Sequence, residues 1–136
     1  MNIFEKKKLE RDIFGKLREE ISLNQRENVE KNVKLYVDSF VKEYTNIGYI
    51  GIYWPLKNEV DIRSLKEKIC LALPRCKDKK ELLFYPWDDK PLTKDFEGIL
   101  SPNNSFSLTH KQISLILVPC LSVDKNLIRL GYGGGY

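Results

Sequence analysis

Apolar residues recur every four positions near the start of the chain, at Leu9, Ile13, Leu17 and Ile21 with Phe14 beside them. That spacing predicts an amphipathic helix over about the first 20 residues. Lys7, Arg11 and Arg18 follow helical spacing too and form a basic ridge next to the apolar stripe. Ser22-Leu23-Asn24-Gln25 has the pattern of a capping box, with Ser22 at the N-cap and Gln25 at N3. It opens a second helix, running to about Tyr44, whose apolar set Val29, Val33, Tyr36, Val37, Phe40, Val41 and Tyr44 keeps a 3.6-residue period.

The period then changes. Ile47 to Tyr53 is a nearly continuous apolar run, as in a buried parallel strand, and Pro55 ends it. Asp61 to Cys70 carries Ile62, Leu65 and Ile69 and reads as a short helix capped by Asp61. Leu71-Ala72-Leu73 before Pro74, and Leu82-Leu83-Phe84-Tyr85 before Pro86, are further strand candidates. Residues 88–112 are polar and turn-rich, and Ile113 to Val118 is the clearest buried strand, stopped by Pro119. Strands alternating with helices predict one α/β domain over residues 1–136 with a largely parallel sheet. Ligands of such sheets bind where loops leave the carboxyl ends of strands, so the loops after Tyr53, Leu73 and Val118 are where chemistry is expected.

Composition narrows the class. A hydrophobic fraction of 42% and a charged fraction of 31% fit a globular domain, and no apolar stretch approaches the length of a membrane span. The lysine-rich start has no apolar segment after it, so no secretory signal is read and the cytoplasm is expected. Cys70, Cys76 and Cys120 have no metal-binding spacing, and their odd number argues against a disulfide framework; small buried residues are expected. The single histidine, His110, stands in a polar stretch and reads as a surface residue. The net charge of +4 suits an anionic ligand.

Three groups of residues could carry chemistry. Arg129-Leu130-Gly131-Tyr132-Gly133-Gly134-Gly135-Tyr136 closes the chain. Glycines let backbone N–H groups turn inward as an anion nest, and Arg129 can hold phosphate in a bidentate contact. The run is neither the dinucleotide fingerprint nor a Walker A loop, and a flexible chain end has the same composition. Around the first strand's exit, Glu59 could accept hydrogen bonds from the amino groups of a heterocycle, or simply favour a helix start. Trp54 could stack on a planar ligand or cap the core. Lys7 and Arg11, one helical turn apart, could grip an anion together or form a solvated face. Cys120 lacks a nearby histidine to make it a nucleophile, and Asp124 orders the loop before the glycines.

From Val118 to Tyr136 the sequence V-P-C-L-S-V-D-K-N-L-I-R-L-G-Y-G-G-G-Y resembles the signature of 5-formyltetrahydrofolate cyclo-ligases, V-P-G-x-x-F-D-x-x-G-x-R-L-G-x-G-x-G-Y-Y-D. Upstream, Lys7-x-x-x-Arg11, Ile21-Ser22 with Arg26, Glu59-Val60-Asp61, Leu73-Pro74-Arg75, and Gly98-Ile99 followed by Pro102 resemble further elements of that family in order. Cys120, Ser122, Val123 and Ser101 depart from its pattern.

The resemblance implies a three-layer, Rossmann-like α/β fold preceded by two N-terminal helices. It also implies ATP-dependent conversion of 5-formyltetrahydrofolate, with or without a polyglutamate tail, to 5,10-methenyltetrahydrofolate with Mg²⁺. By the same resemblance, Lys7, Lys8, Leu9, Glu10, Arg11 and the run from Arg129 through Leu130, Gly131, Tyr132, Gly133, Gly134 and Gly135 to Tyr136 hold ATP. Trp54 and Glu59 hold the folate, and Arg129 and Glu59 are the candidate catalytic residues. The family continues past this tyrosine with an aspartate expected to contact Mg²⁺ and about one more sheet-and-helix unit, so the expected metal ligand lies beyond Tyr136 and a sheet edge is expected to be open. A monomer or homodimer is expected. The alternatives are a non-catalytic nucleotide- or folate-binding remnant and an RNA-associated protein on the same fold. The scatter of basic residues among acids argues against a nucleic-acid partner.

Overall fold

A computed structural model describes residues 1–134. Gly135 and Tyr136, the last two residues of the expected nucleotide loop, lie outside the described residues.

The chain begins with two helices, each started by side-chain capping of otherwise unpaired first-turn N–H groups. Helix α1 spans Ile3–Glu19. Asn2 accepts from Phe4 and Glu5 at 2.9 and 3.0 Å, while Glu5 reaches back to the Asn2 N–H at 2.8 Å. Helix α2 spans Leu23–Glu43, and its Ser22–Gln25 capping box forms as the sequence predicts. No helix among the described residues is long and apolar enough to cross a membrane.

A four-stranded sheet follows, in the order β3-β2-β1-β6, formed by β1 (Tyr49–Gly51), β2 (Leu71–Cys76), β3 (Leu82–Pro86) and β6 (Ile113–Ile116). Strand β1 pairs parallel with β2 and with β6, and β2 pairs antiparallel with β3, so the sheet is mixed and mostly parallel. Two small hairpins complete the set, β4 (Thr93–Lys94) with β5 (Leu100–Ser101) and β7 (Ser122–Val123) with β8 (Arg129–Leu130). The α/β class with two leading helices and a largely parallel sheet is as expected.

Several local expectations are corrected. Strand β2 does not stop at Pro74. Its parallel partner β1 ends at Gly51 opposite Ala72, two residues short of the proline, so the missing N–H breaks no bond of that ladder. The stretch from Asp61 to Cys70 forms only a 3-10 helix, Arg63–Glu67, because the buried anchors Ile62 and Leu65 are three residues apart and a single tight turn satisfies them. Its N-cap residue is Ile62; the Asp61 carboxylate instead accepts the Arg63 N–H at 3.0 Å from one position earlier. Strand β6 is an edge of the described sheet, with Ile116 and Val118 44% and 49% exposed, so its apolar run does not report full burial. Cys70 is exposed, whereas Cys76 is buried and Cys120 partly buried.

The core lies between α2 and one face of the sheet. Val37 packs with Ile50, Ile52, Leu71 and Leu73, joined by Ile62 and Leu65 from the β1–β2 connection. On the opposite face the central strands carry small residues, and large side chains lean across them. A Cβ on Gly51 would meet Phe84 Cε1 at 2.9 Å and Ile116 at 3.2 Å. That close approach is why the last residue of β1 has no side chain there. The core fixes β1, and β1 delivers the loop from Tyr53 to Asp61 to its C-terminal end, where the candidate site is assembled.

Candidate active site

An asparagine and short hydrogen-bonded turns shape this loop. Asn58 adopts φ 67°, a left-handed conformation that asparagine tolerates, and so reverses the chain sharply. The Glu59 N–H donates to Leu56 O at 3.1 Å, and Glu59 Oε2 accepts the Leu56 N–H at 2.7 Å. The Tyr53 hydroxyl pins the far end by donating to Val60 O at 2.7 Å. Glu59 is thereby folded inward, and only 8% of it is exposed.

Residues from both ends of the chain close over this carboxylate. The Tyr132 hydroxyl donates to Glu59 Oε1 at 2.9 Å. Arg18 donates through Nη1 to the Tyr132 hydroxyl and through Nη2 to Cys120 O, and its guanidinium lies 3.9 Å from Glu59 Oε1. Burial, reinforced by the hydrogen bond to Glu59, pushes the Tyr132 hydroxyl up to about 12. Burial and then the Glu59 charge push Tyr53 up to about 12 as well. Both phenols therefore keep their protons through the neutral range, and Tyr132 remains a donor to Glu59.

Arg11 performs a parallel task about two turns earlier on α1. Its Nε donates to Gly131 O at 2.9 Å. Gly133, at φ 95°, lies flat against the same guanidinium, where a Cβ would come within 3.1 Å of Cζ. Glycine is required at this position by both its backbone angle and the space available. The structure thus brings Arg11 to the glycine loop. Lys7 and Lys8 stand exposed nearer the helix start, with Leu9 half exposed and Glu10 partly covered. Arg129 is exposed on β8 opposite Val123, with Leu130 partly buried beside it. Gly134 is exposed at the end of the described loop.

The β7–β8 hairpin presents the loop and is organised by Asp124, as the sequence reading anticipates. Its Oδ1 accepts from the Asn126 and Ile128 N–H groups at 2.8 and 2.9 Å. Leu127, at the position of the signature's glycine between its aspartate and arginine, is held at φ 63° while 83% exposed. A non-glycine residue in this conformation carries a cost of about 1–2 kcal/mol. Leu127→Gly is accordingly expected to stabilise the fold by about 1 kcal/mol, after allowance for the added freedom of glycine in the unfolded chain. A denaturant melt that shows equal or lower stability refutes the strain.

Trp54 shares the loop with Glu59 but faces a different space. It lines a cavity of about 370 Å³ with Glu30, Asp61, Arg63, Ser64 and Trp87. The two indoles meet edge to face at 5.9 Å, Arg63 lies 4.6 Å over Trp54, and Lys66 lies 4.9 Å over Trp87. Arg63 is held by Asp61 at 2.9 and 2.6 Å, and that hydrogen bonding keeps the Asp61 carboxyl below its usual range. Sequence reading missed Trp87, Arg63 and the role of Arg18. Arg18 had a signal, since it lies seven residues after Arg11 on nearly the same helical face. Among the described residues no group of three or more His, Cys, Asp or Glu is arranged to hold a metal ion.

The fold and the site define an α/β protein in which a glycine-rich loop, two helix arginines and a buried carboxylate converge. The 5-formyltetrahydrofolate cyclo-ligase family matches residues 3–136. The chain belongs to that family. It is similar to the NMR structure of 5,10-methenyltetrahydrofolate synthetase from Aquifex aeolicus, with a TM-score of 0.78 and 24% identity over 96% of this chain and 69% of that one. A 5,10-methenyltetrahydrofolate synthetase from Mycoplasma pneumoniae gives a TM-score of 0.71 and 24% identity over 96% and 73% of the two chains. At this identity the two structures establish the shared fold. No curated protein sequence matches the chain significantly.

Proposed function

We propose that this protein converts 5-formyltetrahydrofolate to 5,10-methenyltetrahydrofolate with consumption of ATP. One observation carries the reading beyond family membership: Arg11 grips the glycine loop that also covers the buried Glu59. An anion cradle and an acceptor for amino groups therefore share one wall.

In the proposed reaction the formyl oxygen takes the γ-phosphoryl group and ADP leaves; N10 then attacks the activated carbon and phosphate departs. Such transfers need positioning and neutralised charge more than a protein nucleophile. The residues fit ATP: Gly133 lets the backbone approach the Arg11 guanidinium to contact distance, and Arg129 and Lys7 add charge at the loop and the helix. Lys8, Leu9 and Glu10 are proposed to flank the nucleotide, and the backbone from Leu130 through Gly134 to line it. Glu59 would accept from the amino groups of the pterin, and Trp54 would stack on the planar part of the folate. The described residues build no protein cage for Mg²⁺. Mg²⁺ would come in on the ATP phosphates, where it would neutralise part of their charge. Mixing the protein with ATP, Mg²⁺ and 5-formyltetrahydrofolate is expected to raise methenyltetrahydrofolate absorbance in proportion to enzyme. Retained binding of both ligands without that rise would make the protein a non-catalytic relative.

A further inference from the structure

Glu59 is covered by the loop that is proposed to bind nucleotide. Its side chain is 3% exposed, and both oxygens are occupied: Oε1 by Tyr132 and by Arg18 at 3.9 Å, Oε2 by the Leu56 N–H. A buried carboxylate must be hydrogen-bonded, and here the chain's own tyrosine fills part of that need. Any amino group of a ligand that approaches Oε1 from the loop side has to take the place of the Tyr132 hydroxyl. Tyr132 is half exposed and sits between Gly131 and Gly133, the two residues that Arg11 contacts. The loop is therefore held at two points by α1, through Arg11 at its backbone and through Arg18 at its tyrosine.

We propose that Arg18 and Tyr132 are positioning residues that act through Glu59 and interlock the two ligand sites. In the empty protein Arg18 steadies Tyr132 over Glu59. A phosphate that engages Arg11 competes with the Gly131 carbonyl for its guanidinium, frees the loop, and draws Tyr132 off the carboxylate. Nucleotide and folate then bind with positive coupling, each raising the affinity of the other by the same factor, as linkage requires. The inference rests on the proposed function and sharpens it by tying folate recognition to occupancy of the nucleotide loop.

Calorimetric titration of the full chain with a non-hydrolysable ATP analogue and with 5-formyltetrahydrofolate, separately and together, tests it. The wild-type protein is expected to bind the folate about tenfold more tightly when the analogue is present, within the usual range of such couplings. Tyr132→Phe keeps the ring and removes the hydroxyl; it is expected to bind folate without nucleotide several-fold more tightly than wild type and to lose most of the coupling. Arg18→Gln, which loosens Tyr132 from the other side, is expected to reduce the coupling too. Independent binding of the two ligands by wild type, or full coupling retained in Tyr132→Phe, overturns the interlock while the functional reading stands. If wild type binds neither ligand, both fall together. A merely structural role for Tyr132 would move the melting temperature and leave the coupling ratio where it was.

Discussion

Glu59→Gln lowers the affinity for 5-formyltetrahydrofolate by about 10- to 150-fold and changes affinity for an ATP analogue far less. The range corresponds to the roughly 1.5–3 kcal/mol carried by a hydrogen bond to a charged group. Glutamine preserves the volume, so Tyr53, Val60 and the Leu56 turn need not repack. It replaces one acceptor oxygen by a donor, and that donor confronts the amino group it should receive. The protein is perturbed as well: Glu59 accepts from Tyr132 at 2.9 Å and from Leu56 at 2.7 Å, so some loss of stability accompanies the change. Arg18 keeps its bond to Cys120 O, which limits that loss. Titrations below the melting temperature of the variant separate the two effects. Glu59→Ala, which removes both oxygens, should lose at least as much folate affinity. An equal fall in nucleotide and folate affinity would show that the carboxylate merely holds the loop together.

The periodic parts of the fold were legible because burial there follows local spacing. Val33, Val37 and Val41 are set one turn apart, and they are the residues that α2 turns to the sheet. The Ser22–Gln25 cap was legible for the same reason, being contained in four residues. Asn2 and Glu5 have the same spacing and make the same box at α1. Strand ends were harder to read, since an apolar run does not reveal whether a neighbour lies on each side. Ile113 to Val118 reads as deeply buried, but its strand runs only over Ile113–Ile116 and pairs with β1 alone among the described strands. In the site, Arg11 and the glycines were identifiable as residue types suited to anions. Their contact was not, because Arg11 and Gly131 are 120 positions apart. The Arg18–Tyr132–Glu59 network spans separations of 114 and 73 residues, and no local pattern encodes it. Trp54 and Glu59 lie five residues apart on one loop, yet the turn at Asn58 sends them to different environments, one to a cavity and one beneath Tyr132.

Arg11→Ala reduces affinity for the ATP analogue by about 10- to 150-fold, the consequence of losing charge-assisted hydrogen bonds of roughly 1.5–3 kcal/mol. Two losses combine in this variant. The guanidinium proposed to face phosphate is gone, and so is the 2.9 Å bond that holds Gly131 O. Arg11→Lys separates them only in part, because a lysine supplies charge but not the flat fork on which Gly133 rests, with its Cβ position 3.1 Å from Cζ. An intermediate loss is therefore expected from lysine. Lys79→Ala, in the exposed turn between β2 and β3, serves as a control for bulk charge and should leave nucleotide affinity within about twofold, since an exposed charge is screened by salt. Folate affinity measured without nucleotide is expected to rise rather than fall in Arg11→Ala, because losing the Gly131 bond loosens the loop that keeps Tyr132 on Glu59. Unchanged nucleotide affinity in Arg11→Ala would place the phosphate elsewhere and leave the arginine a structural clamp on the loop; a loss confined to nucleotide would mark α1 and the glycine loop as two halves of one anion site.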